Sequence, residues 1–126
     1  MNAAIRSRLR EAVAALSDEE LHDRLWLRGE RMNSNELTFD DAVLLIIDEL
    51  SSADPVELIG HVLKNDEELA LFLRLSSCLE RLVAVIGIHG TYDDAIQSGS
   101  VWQDCVVASM TLGDSLEDRP KKQAGL

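Results

Sequence analysis

Scarcity sets the first limits on this chain. Aromatic side chains make up 4% of its 126 residues, so Leu, Val, Ile and Ala must fill the core, which suits packed helices. No apolar run reaches the roughly 20 residues a membrane-spanning helix needs, and none follows the arginines at 6, 8 and 10 as a secretory signal would require. Cysteine occurs twice, at Cys78 and Cys105, both on apolar stripes of predicted helices. Free, buried thiols in a reducing cytoplasm are the expectation, with an interhelical disulfide as the alternative. No strand precedes a glycine-rich turn, so nothing is built to cradle a nucleotide phosphate. His22, His61 and His89 fall in different elements, which leaves no metal or nucleophile cluster and no cofactor to expect. Positive charge is also short. Twelve Lys and Arg stand against 23 Asp and Glu, for a net charge of −11. Such a surface repels nucleic-acid phosphates and favours a basic protein partner.

What is present is helical periodicity. Hydrophobic content of 46% with 28% charged residues is globular composition, and the length suits one domain. Residues 66–86 carry two apolar stripes, Leu69, Phe72, Leu79, Val83, Ile86 and Leu71, Leu75, Cys78, Leu82, Val85. A helix apolar on most of its circumference should be surrounded by others. The expected fold is therefore all-α, a compact bundle of five to seven helices around this central one. It spans residues 1–113, followed by a frayed tail over 114–126. A first helix runs from Asn2 to Leu16, with Ile5, Leu9, Val13 and Leu16 inward and Arg6 and Arg10 beside them. Ser17 and Glu20 form a capping-box pattern for a second helix to about Gly29. Thr38 caps a third, with Phe39, Val43, Ile46 or Ile47, and Leu50 inward. Asp54-Pro55 starts a short helix to about Leu63, and Asn65 with Glu68 opens the central helix that Gly87 closes. Thr91 caps a helical turn with Tyr92 and Ile96. Ser100 with Gln103 opens a last helix that turns Val101, Cys105, Ala108 and Leu112 inward.

Charge is unevenly spread. Residues 1–16 carry net +2, whereas residues 17–50 hold ten acids against three arginines, net −7. At α-helical pitch Trp26 falls about 140° from the inward Leu21, among Glu19, His22, Asp23 and Glu30. On the third helix Asp40, Asp41 and Asp48 line the outward stripe with Leu44 between them. An apolar anchor ringed by carboxylates is a pattern suited to docking a basic protein. The candidate partner-binding residues are Asp18, Glu19, Asp23, Trp26, Glu30, Glu36, Asp40, Asp41, Leu44 and Asp48. The competing expectation places Trp26 under the 30–37 loop and Leu44 under a neighbouring helix or a dimer mate.

Two resemblances add to this. Glu19-Glu20-Leu21-His22-Asp23 is similar to the first motif of MazG-type nucleotide pyrophosphohydrolases, which implies magnesium and a triphosphate. The second motif, a Glu and an Asp three apart, has no counterpart, since Asp41 and Asp48 are seven apart. More of the chain resembles a group of small, acidic, helical bacterial proteins. The stretches concerned are Leu16-Ser17-Asp18-Glu19, Arg24-Leu25-Trp26, Asp40-Asp41, Gly60-His61-Val62-Leu63 with Asn65-Asp66, and Val101-Trp102. In size and charge that group is similar to toxin-immunity proteins. The resemblance implies a cytoplasmic, non-enzymatic protein that occludes a basic toxin. A structural or regulatory homo-oligomer, or a homodimer that binds a partner, fits the same pattern.

Overall fold

The computed structural model describes residues 2–34, 36–50, 54–87 and 89–116. Among them the regular elements are all helical: α1 (Ala3–Ser17), α2 (Glu19–Leu21), α3 (Phe39–Leu44), α4 (Pro55–Leu58), α5 (Asp66–Ile86), α6 (Tyr92–Gln97) and α7 (Ser100–Leu116). Two of them continue as π-helix, α2 into π1 (His22–Leu27) and α3 into π2 (Leu45–Leu50). The fold is an all-α bundle. The tail residues from Glu117 onward lie outside the described part, and α7 carries the helix past Asp114 to a buried Leu116.

α5 forms as its sequence demands. The Asn65 side chain accepts the Glu68 amide at 2.9 Å, three acids fill the first turn, and Gly87 ends the helix at φ 89° with its N–H on Val83 O. Its buried face comprises Phe72, Leu75, Ser76, Cys78, Leu79 and Leu82, packed chiefly on α7. α7 leans in turn on α1, and α1 on α3. The helix is not enclosed all round, as its double stripe implied. Leu73 and Val85 are 43% and 60% exposed, because the neighbours cover one side and leave the other to water.

Local capping differs from expectation at three points. Asp18, not Ser17, caps α2 by accepting the Leu21 amide, while the Ser17 hydroxyl donates back to Val13 O. α4 stops at Leu58, where Gly60 at φ 93° turns the chain and Leu63 N–H bonds back to Leu58 O. Ser100 lies inside α7 rather than capping it, and Trp102 joins the buried face. Both cysteines are free and buried, and burial pushes the Cys105 thiol up to about 12, which leaves it unreactive.

One ion pair ties the helix ends together. Arg6 forks onto Glu68 with N–O distances of 2.9 and 3.1 Å, and the two side chains are 4% and 3% exposed. The same guanidinium donates to Val62 O at 2.8 Å and Leu116 O at 3.2 Å, while Glu68 also accepts the Lys64 amide at 2.7 Å. Burial pushes the Glu68 carboxyl up, but the Arg6 hydrogen bonds and the Lys64 amide outweigh it and hold it below 4.5. Its contribution to stability is therefore complete above that value and fades as pH falls through the depressed folded pKa. Arg6→Ala or Glu68→Ala should each destabilise the fold by about 3–5 kcal/mol in urea titration, since a buried charge is left alone. Arg6→Met with Glu68→Leu should recover part of that loss but not the three backbone groups left without partners.

Candidate partner-binding surface

The acidic stretch is shaped by a change of helical pitch. At His22 the chain passes from α- to π-bonding, and Arg28 N–H reaches Asp23 O at 3.3 Å. Bonding from i to i+5 spreads a turn over roughly 4.4 residues, about 80° each. Trp26 then lies roughly 50° from Leu21 instead of about 140°. The indole swings off the outer face and into the bundle edge. It is half-buried, and its Nε1–H donates to Leu37 O at 2.9 Å. Leu37, at the far end of the 30–37 stretch, thus lies against the indole.

The swing assembles an aromatic cluster. His22 stacks on Trp26 with ring centroids 4.3 Å apart, and Tyr92 and Trp102 lie 5.3 and 5.7 Å from the imidazole. Phe39 meets Trp26 edge-on at 5.6 Å and Tyr92 at 6.0 Å. Of five aromatic residues in the chain, all but Phe72 take part, drawn from π1, α3, α6 and α7. His22, expected on the acidic face, is buried, and its Nε2–H donates to Ala15 O at 2.7 Å. Burial pulls the imidazole below its usual pKa, against the opposing pull of the Ala15 bond and the Asp18 and Glu19 charges.

Around this cluster the acids divide. Burial pushes the Tyr92 phenol above 10.0, and the charges of Asp23, Glu19 and Asp93 add to the shift. A cleft of about 270 Å³ is lined by Trp26, Phe39, Tyr92, Thr38, Asp40, His89 and Gly90. A second cleft of about 280 Å³ between α1 and α3–π2 holds Asp41, Leu44 and Asp48 with Leu37, Arg8 and Glu49. Arg8 pairs there with Glu49 at 3.1 Å. Asp40 and Leu44 also share a smaller recess over Leu82 and Ile86, so the two clefts flank one turn of α3. Leu44 is half-exposed rather than covered.

Not all the candidate residues face solvent. Glu36 is held by Arg24, accepts the Met32 amide at 2.8 Å, and has its carboxyl lowered to about 2 chiefly by the Arg24 hydrogen bond. Arg24 also grips Glu20 and Glu30 O, so this pair fastens the loop and is not a docking group. Asp18 is an exposed cap. Asp23 and Glu30 share the outer Arg28 at 3.8 and 3.7 Å. Glu19 and Asp40 stay exposed or at the rim without a cationic partner among the described residues. The MazG-like stretch is divided too: Glu20 pairs with Arg24 and His22 is buried. Among the described residues no group of three His, Cys, Asp or Glu is placed to hold a metal ion.

A family model described as a domain of unknown function, DUF7945, matches residues 2–123. The chain belongs to the DUF7945 family. No curated protein and no solved structure matches it. Both clefts, the aromatic cluster and the Arg6–Glu68 pair all lie within the span of the DUF7945 model. Phe39, Tyr92, Asp93 and Trp102 belong to this surface or its floor and were not among the candidates. Their signal in the sequence was scarcity, since nearly every aromatic ring had to be somewhere together or somewhere exposed.

The buried imidazole gives a pH test. Below about pH 6.5 the unfolded chain protonates His22 while the folded chain resists, so stability falls as pH drops below that value. His22→Phe should flatten the dependence of Tm on pH there while leaving the steeper carboxylate-driven fall below about pH 5. An unchanged slope would place the proton uptake elsewhere.

Proposed function

We propose that this protein is a non-enzymatic binding module that docks a basic protein through the acidic face of π1 and α3. Its most concrete form is an immunity protein that occludes a bacterial toxin in the cytoplasm. The observation that carries this reading is the arrangement about Asp40. One turn of α3 stands between an aromatic cleft with Asp40 in its lining and an aliphatic cleft bearing Leu44, Asp41 and Asp48. Apolar floors inside a carboxylate rim supply what such an interface needs: a desolvated centre for affinity and a charged edge that speeds encounter. The net charge of −11 extends that steering over the whole surface. Substrate phosphates of a nuclease would be mimicked by these carboxylates without any chemistry on this side of the complex.

A homo-oligomer is the second reading, favoured by Leu73 and Val85 on the open side of α5. Sedimentation at micromolar and submillimolar concentrations separates the two: concentration-dependent assembly abolished by Leu73→Lys supports the oligomer.

For the docking reading, the experiment is association kinetics with the basic protein that co-purifies with the full chain from its native host. Asp40→Lys with Asp41→Lys should slow association at least about tenfold at low salt and flatten its salt dependence, with little change in dissociation. Unaltered on-rates would remove this face from the interface.

A further inference from the structure

The two clefts differ in chemistry, and the aromatic one selects its occupant more narrowly. Its walls are the half-buried rings of Trp26 and Tyr92 and the buried Phe39, with Asp40 and His89 also in the lining. Gly90 closes one side, and it must be glycine: a Cβ there would sit 2.5 Å from Ile86 Cγ1 and 2.8 Å from Ile86 O. Asp40, Glu19 and Asp93 have no cationic partner among the described residues. At about 270 Å³ the cleft falls below the roughly 300–1,000 Å³ of pockets that enclose a whole small molecule. It is the size for one long side chain.

We propose that this cleft receives the guanidinium of an arginine presented by the basic partner, laid against the Trp26 and Tyr92 rings and hydrogen-bonded to Asp40. The proposal rests on the docking reading above and names the group that the face recognises. Arginine fits better than lysine on three counts. Its planar cation stacks on aromatic rings, its fork matches a carboxylate, and it loses less hydration on entering an apolar recess. Leu44's cleft has no ring to offer and already holds its own arginine, Arg8, paired with Glu49.

The test uses the full chain, ¹⁵N-labelled, titrated with N-acetyl-arginine-N-methylamide and with its lysine and citrulline counterparts. The arginine probe should shift the Trp26 indole N–H and the amides of Thr38, Asp40 and Thr91 together. The lysine probe should bind at least about threefold more weakly, and citrulline, which keeps the shape without the charge, should not bind. Asp40→Asn, a change at the cleft rim that leaves the core alone, should weaken the arginine probe about fivefold, whereas Asp48→Asn in the other cleft should not. Equal shifts from lysine and arginine, shifts mapping to Leu44, or indifference to Asp40→Asn would each overturn the assignment. If the cleft fails these titrations while Asp40→Lys with Asp41→Lys still slows the partner, the docking face stands and the arginine pocket falls. If the probe binds as expected but the partner's on-rate is unmoved, the pocket stands and the wider docking face falls.

Discussion

The buried fork between Arg6 and Glu68 is the constraint on which the remaining architecture hangs. It joins residues 62 positions apart, and around it three chain segments bring their loose ends: the turn at Val62 and Lys64, the first turn of α5, and the last carbonyl of α7. Helix ends leave backbone groups without partners, and burying them bare is costly. Here a single charged pair answers several of them at one point. A hydrophobic replacement of equal volume would pack but would leave those amides and carbonyls unsatisfied. That explains why an ionic group persists where ion pairs are in general poor sources of stability. It also fixes α1 against α5 and α7, so that α3, which leans on α1, inherits its position.

From that anchored frame the acidic half of the molecule takes its shape through pitch rather than packing volume. Both helices that carry the candidate surface widen into π-helix in their second half. In π1 the widening carries Trp26 inward to stack on His22, and in π2 it brings Leu45 and Ile46 to the core side together. A wider turn rotates every residue beyond it about the helix axis, and so decides which side chains meet solvent. With the indole turned in, Glu19, Asp23 and Asp93 stay exposed, and the rings of Trp26, Phe39 and Tyr92 line a cleft with Asp40.

How much of this the sequence carried depends on the range of each interaction. Asn65, Thr38, Asp54 and Thr91 cap helices as expected, because capping is settled within three residues. The central helix was legible for the same reason, through its stripe and its bounding Asn65 and Gly87. Glu68 shows where legibility stops. It reads locally as a partner of the Asn65 cap, but its carboxylate turns to Arg6 and the Lys64 amide, a choice made by a residue far away in the chain. Trp26 shows the other limit. Its expected face assumes an α-helical angle, and hydrogen-bond register is not written in hydrophobic pattern. Among the acids of residues 17–50, Glu36 belongs to Arg24, since a charge count does not separate carboxylates with partners from those without.

That separation is what gives the surface its meaning. Glu20, Glu36, Glu49 and Glu68 each have an arginine, and their charges are largely answered within the molecule. Glu19, Asp40 and Asp93 have none among the described residues, and Asp40 lines the cleft where the half-buried rings of Trp26 and Tyr92 stand. Solubility alone would be served by acids placed anywhere. An unpaired acid beside half-buried rings instead leaves two kinds of surface unsatisfied at once, apolar area in contact with water and negative charge without a counterion. A cationic, partly apolar group would relieve both together, which is the chemistry that the proposed docking calls for.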